Sequence, residues 1–164
     1  MHLWRCSKWK QFIGEHPCKQ GLRLHFEPGV DPAVRCIFMD FAAWLRREFC
    51  FPFRLNVYIK SAYRIRAMDG DLVVGTCWQP ASYNESPYIR LAAGDYRELV
   101  ALRGQTQAMW SVLWTFAQEL TCYFQHINHI ELTPRGEQRQ ASNYAQRVLE
   151  EYDDYLAFCD HEYS

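Results

Sequence analysis

The sequence predicts an α+β fold in which one helix is followed by a small sheet and then by two further helices. Three observations lead to this prediction. Apolar residues recur at helical spacing in two long segments and again near the C-terminus. Four short apolar stretches between the two long segments are bounded by turn residues. Strands and helices do not alternate along the chain, so the expected four-stranded sheet is rich in antiparallel pairs.

The first helix is expected over residues 32–49. Asp31 can accept hydrogen bonds from the free amide groups at the helix start, and Pro32 fits the first turn without wasting a donor. Apolar residues then follow at helical spacing, at Val34, Ile37, Phe38, Phe41, Leu45 and Phe49. Pro52 is expected to prevent any continuation of this helix.

Four strands are expected to follow. The stretch FRLNVYIK, residues 53–60, alternates between apolar and polar residues as a strand does. Residues 63–67 and 72–76 flank Asp69-Gly70, a pair that suits a tight hairpin. The fourth stretch, PYIRLA at residues 87–92, is expected to form an edge of the sheet.

Two helices complete the predicted order. The longer one runs from about residue 106 to 129 and has a continuous apolar stripe. The last begins at Thr133-Pro134, as the first helix does at Asp31-Pro32. Its predicted buried face extends to Leu156.

Composition indicates a single globular domain at residues 29–164, preceded by a basic arm at residues 1–28. The 164 residues are about half apolar and carry a formal net charge of −1, which is enough chain for a sizeable core. No long apolar run follows the start of the chain, so we expect no secretory signal and no membrane anchor. The seven cysteines form no close pairs, and we expect reduced thiols in a cytoplasmic protein.

The predicted arm carries more basic than acidic side chains and contains Trp4 and Trp9. This composition suits an anionic partner such as nucleic acid, although the overall charge provides no strong attraction. The arm also contains four potential metal ligands, whose spacing fits no compact zinc knuckle: His2, Cys6, His16 and Cys18.

The stretch FAQELTCYFQHINH, residues 116–129, carries the residues most relevant to function. At 100° per residue, one side of this helix presents Gln118, Cys122, Gln125, His126 and His129, with Glu119 beside them. A zinc-peptidase helix uses this geometry. Two ligands four residues apart hold the metal, and the carboxylate after the first ligand acts as general base.

The chain resembles the small HExxH zinc metallopeptidases of the ImmA/IrrE-type minimal gluzincin group. The resemblance covers about residues 30–156 and is sharpest in WTFAQELTCYFQ and ELTPRGEQRQASNYAQRVLEEY. It implies a zincin-like fold in a bacterial or phage setting. It also implies Glu119 as the general base, Gln118 and Cys122 at the two histidine positions, and Glu137 or Gln138 at the position of the third zinc ligand.

This chain departs from the family at the metal ligands. A glutamine amide is a weak, neutral zinc ligand, whereas Cys122 could bind zinc as a thiolate. A metal shifted by one turn could use Cys122, His126 and His129, but Cys122 and His129 are separated by about 10 Å of helix rise. The resemblance therefore implies a domain whose peptidase centre has degenerated and which needs no cofactor.

Such a domain is expected to bind a peptide or protein in the groove between PYIRLA and the motif helix, because strand addition needs only backbone hydrogen bonds. Two alternatives remain. One is an active zinc peptidase that uses Cys122, a carboxylate and Glu119 as base. The other is a nucleic-acid-binding protein that acts through the basic arm.

Overall fold

The structure, a computed structural model, describes residues 2–12, 20–82 and 85–162. Two 3-10 turns come first, at Leu3–Arg5 and Lys8–Gln11. The strands are β1 (Leu22–Phe26), β2 (Leu55–Lys60), β3 (Ile65–Arg66), β4 (Leu72–Val73), β5 (Gly75–Trp78) and β6 (Tyr88–Ala92). The helices are α1 (Pro32–Glu48), α2 (Tyr96–Arg103), α3 (Gln105–Ile127) and α4 (Pro134–Glu162). The predicted α+β class is confirmed.

The main sheet has four strands in the order β1-β2-β6-β5. Strands β1, β2 and β6 are parallel, and only β5 runs antiparallel to its neighbour β6. The prediction of an antiparallel-rich sheet was therefore wrong. The chain leaves β1, forms α1 and returns as β2, and a helix-sized crossover of this kind joins parallel strands.

Strand β1 was missed because its sequence, LRLHF, lies in the basic segment assigned to an arm. Leu3, Trp4 and Leu22, all from that segment, belong to the hydrophobic core. The described part of residues 1–28 thus contributes a strand and buried side chains to the same fold as the rest of the chain.

The predicted hairpin around Asp69-Gly70 is present, but β3 and β4 form a separate two-stranded sheet. The next segment, β5, occupies the edge of the main sheet, and β6 lies between β5 and β2. The assignment of PYIRLA to an edge was therefore wrong. Helix α2 was also missed.

The other helices follow the predicted caps and periodicity. Asp31 accepts a hydrogen bond from the amide of Ala33 at 2.9 Å, as expected for the start of α1. Helix α3 is central, because it packs against α1, α2, α4, β5 and β6. Its Phe116, Leu120 and Tyr123 are fully buried. The opposite side of α3 is turned toward α4 and carries the candidate site.

Candidate functional site

A cavity of about 280 Å³ lies between α3 and the first two turns of α4. It is lined by the five positions that the resemblance singled out, Gln118, Glu119, Cys122, Glu137 and Gln138, together with Gln125, Pro134 and Ala141. The structure therefore brings the predicted site residues together. Both Glu137 and Gln138 line the cavity, so either can occupy the position of the third family ligand.

Glu119 lies against β5. A Cβ atom built on Gly75 would come within 2.7 Å of Thr115 Cγ2 and 3.3 Å of Glu119 Cγ, so only glycine allows this close approach of strand and helix. Burial raises the pKa of the Glu119 carboxyl to about 7. Within the described ranges, neither Arg90 nor Arg139 forms an ion pair with it.

Cys122 is held by a residue that no sequence motif connects with the site. Gln79, just after β5, donates from Nε2 to Cys122 Sγ at 2.8 Å and to the Cys122 carbonyl oxygen at 3.2 Å. These bonds join the end of β5 to the C-terminal half of α3.

Cys77 on β5 forms a second contact between the same elements. A hydrogen bond with Cys122, burial and the charge of Glu119 raise the pKa of the Cys77 thiol well above its usual range. The sequence carried a weak signal of this placement. Alternation along β5 puts Gly75 and Cys77 on one face of the sheet, which is the face that packs against α3.

Glutamine amides join α3 to α4. Gln118 donates from Nε2 to Ser142 Oγ at 3.2 Å. Gln125 donates to Gln140 Oε1 at 2.8 Å and to the carbonyl oxygen of Glu137 at 3.4 Å. Both glutamines are thus engaged by the neighbouring helix.

A second cavity, of about 370 Å³, adjoins the first and shares Gln125 and Glu137 with it. Its walls include the loop that follows β5, at Gln79–Ser82, and the end of α3, at His126 and His129. We call the two cavities together the α3–α4 groove. Ala141 lines the first cavity of this groove, and Leu132 lines the second.

The two alternative metal sites find no geometric support in the described residues. The His129 ring stacks on Phe12 with ring centres 3.8 Å apart, and burial lowers the pKa of His126. At the N-terminus, His2 Nδ1 accepts a hydrogen bond from the Trp4 amide, while His16 and Cys18 lie outside the described residues. Within residues 2–12, 20–82 and 85–162, no three His, Cys, Asp or Glu side chains converge as a metal site would require.

The residues at the family's ligand positions do not fit zinc well. The Gln118 amide is a neutral donor to Ser142, and Cys122 Sγ accepts a hydrogen bond from Gln79. Zinc prefers thiolate, imidazole and carboxylate ligands arranged as a tetrahedron. What the groove does offer is the carboxyl of Glu119, which can exchange a proton near neutral pH, surrounded by hydrogen-bonding amides.

Comparisons with family models, with curated proteins and with solved structures each give no match for this chain. Among the helices of the described residues, none is long and apolar enough to cross a membrane.

Proposed function

We propose that the chain is a zincin-like domain with a degenerate peptidase centre, and that it binds an extended peptide or protein segment in the α3–α4 groove. The observation that carries this proposal is the engagement of both altered ligand positions by protein partners. Gln118 is bound to Ser142 and Cys122 to Gln79, so these side chains tie the walls of the groove together.

The arrangement around Glu119 supports the resemblance. An antiparallel edge strand, β5, lies beside the motif helix α3. The general-base position lies against that strand at Gly75, and the start of the later helix α4 lines the same cavity. Zincins as a class hold an extended peptide against such an edge strand.

Strand β5 offers backbone groups for strand addition. The Ala92 amide donates to the Val74 carbonyl oxygen at 2.7 Å, so Val74 and Ala92 are a hydrogen-bonded pair of the antiparallel strands β5 and β6. Hydrogen-bonded and non-hydrogen-bonded pairs alternate along antiparallel strands. The N–H and C=O groups of Gly75 and Cys77, which are in non-hydrogen-bonded pairs, therefore face away from β6. An extended peptide could pair with these groups and place its side chains in the α3–α4 groove.

A pair of size-matched variants on α4 tests this binding mode. Ala141→Trp fills the groove, whereas Ala157→Trp adds the same side chain at an exposed position on the same helix. Fluorescein-labelled casein peptides should bind the parent and Ala157→Trp in an anisotropy titration, but bind Ala141→Trp at least about tenfold more weakly. Equal binding by the two variants would place the peptide elsewhere and contradict the proposal.

Amide hydrogen exchange tests strand addition. Peptide binding should slow amide exchange at Gly75 and Cys77 more than at Thr76, whose amide already faces β6 in a hydrogen-bonded pair. Slowing confined to residues outside β5 would contradict strand addition, even if the peptide still binds in the groove.

The enzyme alternative is favoured by one observation, the pKa of about 7 at Glu119, which suits a general base. Restoring the family's ligands with Gln118→His and Cys122→His separates the two functions. We expect far less than one zinc per parent chain by mass spectrometry and no peptide cleavage, with gains of both in the double variant. Equal cleavage by the parent and the double variant would establish that the parent is an active peptidase.

The proposal includes a cytoplasmic location. It is supported by Cys77 and Cys122, which form a hydrogen bond with each other as two free thiols.

A further inference from the structure

The face of the main sheet opposite α3 carries a row of aromatic rings that crosses all four strands. The row consists of His25 on β1, Tyr58 on β2, Tyr88 on β6 and Trp78 on β5. Alternation puts these residues on the face opposite the buried Val57, Ile59, Ile89 and Leu91. His25 is exposed and the other three rings are half-buried. We call this surface the open sheet face.

The rings form a connected surface. His25 stacks on Tyr58 with ring centres 4.8 Å apart and planes 18° apart. Trp78 stacks on Tyr88 at 5.2 Å and 22°, and Tyr58 meets Tyr88 edge-on at 6.1 Å. Four strands spaced about 4.8 Å apart extend the row over roughly 14 Å. That length suits about two or three stacked bases.

Basic side chains surround the aromatic row. Arg23 on β1 is exposed, and Arg54, Lys60 and Arg90 follow the same alternation on the other strands or next to them. Arg54 donates to the Gln20 carbonyl oxygen and Arg90 to the Arg66 carbonyl oxygen on β3, and these neutral acceptors leave both positive charges in place. The acidic residue in this alternation on β1 and β2 is Glu27, at the corner of the sheet, where it pairs with Lys60 at 3.5 Å. The whole chain has a formal net charge of −1, so this excess of positive charge is local.

From this juxtaposition of stacked aromatic rings and basic side chains, we infer that the open sheet face binds single-stranded nucleic acid. Unpaired bases stack on exposed aromatic rings, and Arg and Lys neutralise the phosphates that connect the bases. The surface is independent of the α3–α4 groove, because the two lie on opposite sides of the sheet. Arg23 belongs to the segment for which an anionic partner was predicted, but it acts here from a strand.

The test measures binding of fluorescein-labelled ten-nucleotide oligouridylate and oligothymidylate to the full chain by anisotropy at low salt. Tyr58→Leu should weaken binding by about tenfold, because one stacking surface is lost. Arg23→Gln should lower the slope of log affinity against log salt by about 1, because one phosphate contact is lost. Deleting residues 1–28 is not an equivalent test, because it removes β1 from the sheet.

Matched controls lie away from the open sheet face. Tyr63→Leu changes an exposed tyrosine that contacts Glu98 on α2, and Arg139→Gln changes an exposed arginine on α4. Both should bind as the parent does. Trp78→Phe should bind but lose the quenching of tryptophan fluorescence that an oligonucleotide causes in the parent. Circular dichroism confirms that each variant is folded.

Three results would overturn the inference. One is the absence of oligonucleotide binding by the parent at low salt. Another is equal weakening by the face variants and their controls, since the site would then lie elsewhere. The third is equal affinity for a base-paired hairpin, or equally effective competition by polyglutamate of matched charge, because the surface would then recognise charge without stacking bases.

Discussion

Two polar regions touch α3 within one helical turn of each other, and they differ in how their polar groups are satisfied. On one side, Trp4 donates from Nε1 to Thr121 Oγ1 at 3.1 Å, and the same hydroxyl donates to the Ala117 carbonyl oxygen at 3.1 Å. On the other side, the half-buried Glu119 makes no hydrogen bond or ion pair among the described residues. Matched polar groups of the first kind hold a fold together, whereas an unmatched carboxyl is available for a ligand or a proton.

The largest expected effect on stability comes from the region in which the polar groups are satisfied, around Trp4. Trp4 is 2 % exposed and stacks on Phe124, so Trp4→Ala should lower the free energy of unfolding by about 3–5 kcal/mol. Trp9→Ala, at a half-buried position in the same segment, should cost less than half as much. Urea denaturation measures both. A smaller loss for Trp4→Ala than for Trp9→Ala would show that the N-terminal segment is not anchored through Trp4.

The second prediction concerns the unmatched carboxyl. Because the pKa of Glu119 is about 7 in the folded chain, above its value in the unfolded chain, the folded state retains a proton that the unfolded state releases. The free energy of unfolding should therefore fall as pH rises from about 4.5 to 7, by about 1–3 kcal/mol, and stay level above that. Glu119→Gln should remove this fall, so the variant should be more stable than the parent at pH 8.

Urea denaturation at a series of pH values measures the effect of Glu119→Gln. Glu131→Gln, an exposed change at the wall of the same groove, is the control. A parallel pH dependence of the parent and Glu119→Gln would show that the carboxyl is solvated in solution.

The third prediction concerns His2, whose contribution to the pH dependence of stability is opposite in sign to that of Glu119. Burial, together with the charges of Arg147 and Arg5, lowers the pKa of His2 to about 4. Between about pH 6.5 and 4 the unfolded chain therefore takes up a proton that the folded chain does not, and stability falls as pH falls. His2→Asn preserves an acceptor for the Trp4 amide and should reduce this acid-side loss by about 1–2 kcal/mol.

Denaturation at pH 4.5 and 6.5 measures the effect of His2→Asn, with the exposed His25→Asn as control. Over these pH values the contributions of His2 and Glu119 oppose each other in the parent. Removing one should therefore reveal the other. If His2→Asn left the acid-side loss unchanged, His2 would have to be protonated within the fold.

The sequence predicted those parts of the fold that depend on local signals. Asp31-Pro32 and Thr133-Pro134 identified the starts of α1 and α4, and Asp69-Gly70 identified the hairpin. Strand pairing was not predictable in this way. Which strand forms the edge depends on contacts between distant segments, so β6 was assigned to the position that β5 occupies.

The same division applies to the candidate site. Helical periodicity places Gln118, Glu119 and Cys122 on one face of α3, and the structure places all three in one cavity. The partners that determine their chemistry, Ser142, Gln79 and Cys77, come from α4, β5 and the loop after β5. No spacing along the chain specifies these contacts, because they arise only when the elements pack.

The smallest expected effect on stability concerns Gln79, and it tests whether this side chain shields the Cys122 thiol. Gln79 is exposed, so Gln79→Ala should lower the free energy of unfolding by less than about 1 kcal/mol. It should nevertheless increase the rate at which iodoacetamide alkylates Cys122, because the side chain that lies against the sulfur and shields it from the reagent is gone. Cys77 should stay slow, since its raised pKa leaves little reactive thiolate.

Peptide mass spectrometry follows each thiol in one sample, and the exposed Cys36 and Cys50 provide internal reference rates. Gln107→Ala, an exposed change near the start of α3, is the control for general loosening. If Cys122 reacted at the same rate with and without Gln79, its thiol would already be open to the groove. Cys122 would then be available to a ligand or a metal, as the Glu119 carboxyl is.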